Sequence, residues 1–145
     1  MSVPIALDHV EWFGLGPGET YADSRRDARI GRFTARVDGM QTPYVFPQEN
    51  GNRSDVRWAT LTDASGGGLR VVGSPTFDLT VRRWTSEALD EARHPTDLVP
   101  SDRIWVNLDH AQNGLGSSSC GPGVLPQYRL EPSAVTFSLA FQPVG

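Results

Sequence analysis

Carboxylates are the residues of this sequence best suited to acid–base or nucleophilic chemistry. Glu19 and Asp23 lie in one loop. Glu49 precedes a turn that also carries Arg53 and Asp55. Two neighbouring carboxylates can act as a general acid and a nucleophile, but among many arginines such groups form ion pairs more often than catalytic pairs. We therefore expect Glu49 to cap its turn or pair with an arginine. We expect Glu19 and Asp23 to belong to an ion-pair network.

The single cysteine, Cys120, lies in a segment of mostly glycine, serine, asparagine and proline over residues 113–123, called here the glycine–serine loop. A thiolate can be a nucleophile, but no basic residue flanks Cys120 to stabilise one and no histidine follows nearby. Cys120 could be a buried structural thiol, because free cysteine is among the most buried residue types. The glycine and serine residues around it favour exposure, so the pattern alone leaves both possibilities open.

The three histidines, His9, His94 and His110, are too far apart for metal-ligand spacing, and we expect neither a metal ion nor a cofactor. One cysteine cannot form an internal disulfide, which fits a reducing compartment. No apolar run is long enough to span a membrane, and the first residues lack the charged start and apolar core of a signal peptide. The sequence therefore predicts a cytoplasmic protein.

Length and composition favour one all-β domain over residues 1–145. The chain has 15 glycines, 11 prolines and a hydrophobic fraction of 38%, a composition that suits many turns and short strands. The net charge is −4, and all 13 basic residues are arginines scattered along the chain. A nucleic-acid-binding protein would present a clustered basic patch, so that class of function is excluded.

Alternation of apolar and polar residues predicts a chain made mostly of strands. The strand over residues 104–109 alternates cleanly and leads into the glycine–serine loop, which is how a β-sandwich presents a binding surface. Phe33, Ala35 and Val37 are expected to face inward. The other predicted strands are residues 9–13, 30–38, 42–46, 56–62, 69–72, 77–81, 128–130 and 135–141. Short strands separated by turns predict an antiparallel β-sandwich.

One short helix is predicted over residues 86–93. Thr85 can cap its first turn, and Leu89 and Ala92 share one face. His94 precedes Pro95, and because proline disfavours helix in the residue before it, the helix should end there.

The tryptophans could offer flat surfaces to a ligand. Trp12 and Trp58 lie on apolar faces of their strands and are expected in the core. Trp105 lies on the polar face of its strand, so it is either an exposed platform or packs under the glycine–serine loop.

Several motifs in order resemble one family. The sequences WFGLGPGETYADS, PYVFPQENGNRSDVRW, NLD followed by GLGSSSCGPG, and LPQYRL resemble the C-terminal domain, or small chain, of the large bacterial beta-galactosidases of glycoside hydrolase family two. The resemblance runs from about His9 to the end of the chain. It implies a supersandwich similar to the galactose mutarotase superfamily, of which this chain corresponds to the C-terminal half.

The resemblance also implies a function. In the family, the two carboxylates of a retaining glycosidase lie on a separate barrel domain, so this chain should carry no catalytic residue. Ser119, Cys120 and Gly121 would line the substrate pocket of the parent enzyme, beside a galactoside such as lactose. Some members have tryptophan at the place of Cys120, and cysteine cannot stack on a sugar as tryptophan does. The alternatives are an autonomous carbohydrate-binding module and a purely structural interaction domain.

The same resemblance predicts partners for the chain. The remaining domains of the parent beta-galactosidase should cover the sheet edges and apolar faces that half a supersandwich leaves bare. Bare edges recruit other strands, and uncovered apolar faces seek partners. We therefore expect the isolated chain to self-associate, as a symmetric dimer.

Overall fold

The computed structural model describes residues 1–117 and 121–145, and in these residues seven strands form one antiparallel sheet. The strands are β1 Ser2–Pro4, β2 His9–Gly16, β3 Arg29–Arg36, β4 Arg53–Thr62, β5 Gly68–Arg82, β6 Arg103–Asp109 and β7 Ser138–Val144. The strand order is β1-β6-β5-β4-β2-β3, and β7 pairs with the first half of β5. The all-β, antiparallel class is confirmed, and the sheet is consistent with a sandwich.

The long strand β5 determines where the glycine–serine loop leaves the sheet. Two predicted strands, residues 69–72 and 77–81, are parts of this one strand. β6 ends at Asp109 opposite Asp78 of β5, and β7 begins at Ser138 opposite Ser74. The connection between β6 and β7 therefore leaves and returns beside the middle of β5.

One face of the sheet carries the hydrophobic core. Trp12 and Phe77 are its largest fully buried apolar side chains, and Phe33 and Ala35 pack against the core as the alternation predicts. Val37, in a short 3-10 turn, Val37–Met40, is also buried. The other core residues are Val3, Val10, Met40, Val56, Ala59, Leu61, Val71, Leu79, Val81, Ile104 and Val106.

The opposite face carries arginines and aromatic rings, and here the prediction for Trp58 is wrong. The pairing of β4 with β5 is irregular between Arg53 and Trp58, so Val56 and Ala59 both point into the core although three positions separate them. This irregularity turns Trp58 to the other face. There the guanidinium carbons of Arg70 and Arg32 lie 4.6 Å and 5.5 Å from its ring centroid.

Three other predicted strands differ in the structure. Residues 42–46 form no strand, because prolines at 43 and 47 cannot donate to a sheet ladder. Residues 128–130 form no strand, because Tyr128 ends a 3-10 turn, Pro126–Tyr128, with proline at its start. The last strand begins later than residue 135, at Ser138, because its register is set by pairing with β5.

The predicted helix is present as α1, Ser86–Glu91, and it ends two residues before the predicted end at Arg93. The Thr85 hydroxyl accepts a hydrogen bond from the Ala88 amide at 3.1 Å, and Leu89 and Ala92 are buried together. A 3-10 turn, Pro95–Asp97, follows His94. Among the described residues no helix is long and apolar enough to cross a membrane.

Candidate functional site

The glycine–serine loop is held at its base by the segment that follows it. The Gly114 amide donates to the Tyr128 carbonyl at 3.0 Å, and the Leu130 amide donates to the Asn113 side chain at 2.8 Å. The Ser117 amide donates to the Pro122 carbonyl at 3.0 Å. The described parts of this loop therefore have a defined geometry, despite a composition that allows many conformations.

A tight turn elsewhere in the chain contacts the same loop. Tyr21 and Ser24 exchange two backbone hydrogen bonds of 3.1 Å. Between them Asp23 accepts hydrogen bonds from the Leu115 amide, at 2.9 Å, and the Gly116 amide, at 2.7 Å. The turn and the loop thus form one unit, although they lie far apart in the sequence.

A groove of about 390 Å³ lies between this turn and the loop. Two partly buried tyrosines, Tyr44 and Tyr128, contribute aromatic surface to it, and Ser24 and Ser117 contribute hydroxyls. The Tyr44 hydroxyl donates to Glu19, and burial together with this carboxylate raises the pKa of Tyr44 to about 12. The remaining lining residues are Asp23, Leu115, Gly116, Pro122, Gly123 and Leu125.

Buried polar contacts join the Tyr21–Ser24 turn to strand β4. The Thr20 amide donates to the Asn52 carbonyl at 2.7 Å, and the Asn52 side chain donates to the Thr20 carbonyl at 2.8 Å. The Ser54 amide donates to the Thr20 hydroxyl at 2.7 Å. Because Thr20, Asn52 and Ser54 are all buried, these bonds fix the turn to the sheet.

Two carboxylates lie opposite each other where β6 ends, and the sequence patterns did not single out Asp78. Burial raises the pKa of Asp78 to about 6, and hydrogen bonds from the Asn52 side chain and the Asp55 amide offset only part of that effect. Burial also raises the pKa of Asp109, which accepts a hydrogen bond from Gln112 at 2.6 Å. The sequence signal that could have identified Asp78 is its position as an acidic residue inside the apolar run FDLTV.

Glu49 pairs with an arginine, as expected, but the partner is Arg82. The two guanidinium nitrogens of Arg82 donate to the two Glu49 oxygens at 2.7 Å and 2.8 Å, and one also donates to Ser86. Arg53 instead donates to the carbonyls of Met40 and Gly51. Burial lowers the pKa of the Arg53 guanidinium to about 10.

Comparison with known proteins identifies the family. Residues 1–142 match the family described as beta galactosidase small chain. The chain belongs to this family. It is similar to beta-galactosidases of Arthrobacter sp. (strain B7), 35% identical over 144 residues, and Vibrio cholerae, 36% identical over 143 residues. A beta-galactosidase, BgaC, of Bifidobacterium adolescentis is 37% identical over 145 residues. These alignments cover 96%, 98% and 97% of this chain but only 14%, 13% and 14% of the relatives.

The residues that the family resemblance assigns to the substrate pocket are only partly placed. Gly121 is exposed, next to Pro122 of the groove lining. Ser119 and Cys120 lie outside the described residues, so their assignment stays a prediction. Trp105 is partly buried, and its indole Nε1 is buried without an acceptor among the described residues.

The prediction of an ion-pair network for Glu19 and Asp23 is wrong, because neither carboxylate forms an ion pair among the described residues of this chain. In the part of the chain that the structure describes, Glu19 accepts hydrogen bonds from the Tyr44 hydroxyl and the Gly51 amide, and Asp23 accepts hydrogen bonds from the Leu115 and Gly116 amides. The nearby Arg25 pairs with Asp55 instead, at 2.5 Å. The charge of Glu19 partly offsets the effect of burial on the pKa of Arg53, but the two side chains form no ion pair in the described structure. Within the described residues no group of three or more His, Cys, Asp or Glu side chains could hold a metal ion.

Substituting Gly116 by alanine should destabilise this small-chain family member by about 1–2 kcal/mol. Gly116 has a φ of +67°, and an added Cβ would lie 2.7 Å from the Val124 amide nitrogen. Urea unfolding would measure the loss. Gly123→Ala is the matched control, because a Cβ there meets nothing within 4 Å. Equal stabilities of the two variants would contradict this prediction.

Proposed function

We propose that this chain is a non-catalytic part of a beta-galactosidase that hydrolyses terminal β-galactosides such as lactose. The observation that carries the proposal is the match of nearly the whole chain to about one seventh of the length of proteins named beta-galactosidase. Such a chain supplies only part of an active enzyme. The catalytic carboxylates then belong to the rest of the polypeptide.

The carboxylates that this chain could offer support the same division of roles. A retaining glycosidase needs an acid and a nucleophile about 5–5.5 Å apart, and both must be able to reach the sugar. Glu49 is bound on both oxygens by Arg82, and Glu19 and Asp23 are engaged by hydrogen bonds. Asp78 is buried and accepts hydrogen bonds from Asn52 and the Asp55 amide. These groups serve the local structure instead of a reaction.

The glycine–serine loop is the part of the chain that we assign to the substrate pocket, and within it Ser119, Cys120 and Gly121 are the residues we assign to the pocket lining. The groove beside it offers what a sugar requires: hydroxyl groups, as on Ser117, and the ring surfaces of Tyr44 and Tyr128. A galactoside held by the rest of the enzyme would meet this loop from outside the chain. The loop then shapes the pocket without taking part in bond cleavage.

The rest of the enzyme is the partner that this proposal requires. Val45, Phe46 and Val99 are large apolar side chains on the surface, and Val45 and Phe46 form one exposed segment before Pro47. Contact with other domains would remove this apolar surface from water. The self-association expected for the isolated chain stays a prediction, which light scattering would test.

A hybrid enzyme tests the proposed function. This chain would replace the aligned segment of the Arthrobacter sp. (strain B7) beta-galactosidase, and lactose hydrolysis by the purified protein would be measured. We expect activity at least about tenfold above that of the same enzyme lacking the segment, because the loop and the interdomain contacts are restored. The unaltered enzyme is the positive control. A folded hybrid no more active than the deletion would contradict the proposal.

An autonomous carbohydrate-binding module is the second candidate, because the groove is formed by this chain alone. Titration of the isolated chain with galactose and lactose separates the two functions. Saturable binding at millimolar concentration or below would favour the module. Absence of binding would favour a loop that works only beside the remaining domains. A purely structural role would be favoured if Cys120→Trp left the substrate affinity and transglycosylation of the active hybrid unchanged.

A further inference from the structure

Asp23 is a partly buried carboxylate that contacts the backbone of the glycine–serine loop. Its two oxygens accept hydrogen bonds from two successive backbone amides, Oδ1 from Leu115 at 2.9 Å and Oδ2 from Gly116 at 2.7 Å. A carboxylate that accepts from amides makes shorter and stronger hydrogen bonds than a neutral acceptor. Both amides belong to the glycine–serine loop, whereas Asp23 belongs to a turn near the start of the chain.

The glycines beside this contact are required for it. A Cβ on Gly114 would lie 2.8 Å from Oδ2 of Asp23, closer than side chains approach one another. Gly116 has a φ of +67°, a left-handed conformation in which glycine carries little steric cost. The loop sequence is thus matched to a carboxylate that approaches its backbone closely.

The turn that carries Asp23 is itself fixed on both sides. On one side Thr20 is joined to buried Asn52 and Ser54 of the β4 end. On the other side Arg25 pairs with Asp55 at 2.5 Å. The position of Asp23 is therefore fixed by the contacts of its turn with the sheet. Through its hydrogen bonds to Leu115 and Gly116, Asp23 in turn fixes the loop backbone relative to the sheet.

We infer that Asp23 is a positioning residue that fixes the glycine–serine loop at Leu115 and Gly116 and thereby sets the affinity of the substrate pocket. This inference rests on the function proposed above. Asp23 acts through the loop backbone, since each of its oxygens accepts a hydrogen bond from a loop amide. Its loss increases the number of loop conformations, so that binding of substrate must order the loop again. Uniform loss of binding raises KM and leaves kcat nearly unchanged.

The first measurement concerns the loop in the isolated 145-residue chain. Amide hydrogen exchange by NMR would be compared for wild type, Asp23→Asn and Asp23→Ala. Exchange at Leu115 and Gly116 should accelerate by about tenfold or more in Asp23→Ala, while the amides of Ala59 and Leu61 in β4 keep their protection. Asp23→Asn should be intermediate, because its amide oxygen still accepts one hydrogen bond while its NH₂ group opposes the other amide. Unchanged exchange at both loop amides would overturn the inference.

The second measurement concerns lactose hydrolysis by the hybrid enzyme. Asp23→Ala should raise KM by about tenfold with kcat within about twofold, and Asp23→Asn should raise KM less. Asp27→Asn is the control: it removes the same charge from the same exposed segment and should leave both constants unchanged. A purely structural role of Asp23 would instead lower the amount of active enzyme, and with it the apparent kcat, at constant KM.

The two proposals fail in different ways. An inactive wild-type hybrid would overturn the proposed function, and with it the role of Asp23 in substrate affinity. An active hybrid whose KM is the same in the wild-type, Asp23→Ala and Asp27→Asn forms would overturn the positioning role alone. A rise in KM in the Asp23 variants but not in Asp27→Asn, together with faster exchange at Leu115 and Gly116, is the result that supports it.

Discussion

Replacing Glu49 by alanine should lower the free energy of unfolding by about 3 kcal/mol. The variant leaves the guanidinium of Arg82, with only 1% of its side chain exposed, without the carboxylate that both of its terminal nitrogens contact. A buried charge that loses its partner costs about 3–5 kcal/mol in general. We expect the lower end of this range because Glu49 is 34% exposed and water can reach part of the site.

A second glutamate–arginine pair provides the control for this prediction. Glu11 pairs with Arg32 at 2.5 Å on the sheet surface, where the arginine side chain is 69% exposed. Glu11→Ala should cost less than about 1 kcal/mol, because water screens the pair and solvates the arginine that remains. Urea unfolding of both variants at one pH would measure the difference. Similar losses in the two variants would show that burial of Arg82 does not determine the effect.

Replacing Asp78 by asparagine should change how stability depends on pH. The folded-state pKa of Asp78 is about 6, compared with an ordinary value of 3.8, because the carboxyl is buried. Between these values the folded chain keeps the proton while the unfolded chain loses it. Stability therefore falls as the pH rises through this window, by about 3 kcal/mol in total at about 1.4 kcal/mol per pH unit. Asparagine does not titrate and lacks this loss.

The measurement is the difference in unfolding free energy between Asp78→Asn and wild type at several values between about pH 4 and pH 7. This difference should shift in favour of the variant by about 3 kcal/mol as the pH rises. Asp90→Asn, at an exposed position of α1, is the control and should show almost no pH-dependent difference. A difference between Asp78→Asn and wild type that is constant with pH would contradict the raised pKa of Asp78.

The family and the fold class could be predicted from the sequence because their signals are local. Alternation in residues 30–38 and 104–109 predicts strands that the structure contains as β3 and β6. Thr85 predicts the start of α1, because a cap needs only the residues of the first helical turn. Several motifs from about His9 to the end of the chain predict the small-chain family, since they are read in order along the sequence.

Only the tertiary structure decided which residues meet. Trp58 leaves the core because an irregularity in the pairing of β4 with β5 changes the direction of its side chain, and no local pattern signals that change. Glu49 pairs with Arg82, and Asp23 contacts the glycine–serine loop, because the strand order and register of the sheet bring distant segments together. A sequence specifies the propensities of each segment, but contacts between distant segments depend on how all the strands pair at once. The candidate site consists of such contacts between distant segments. For that reason its geometry could be determined only from the folded chain.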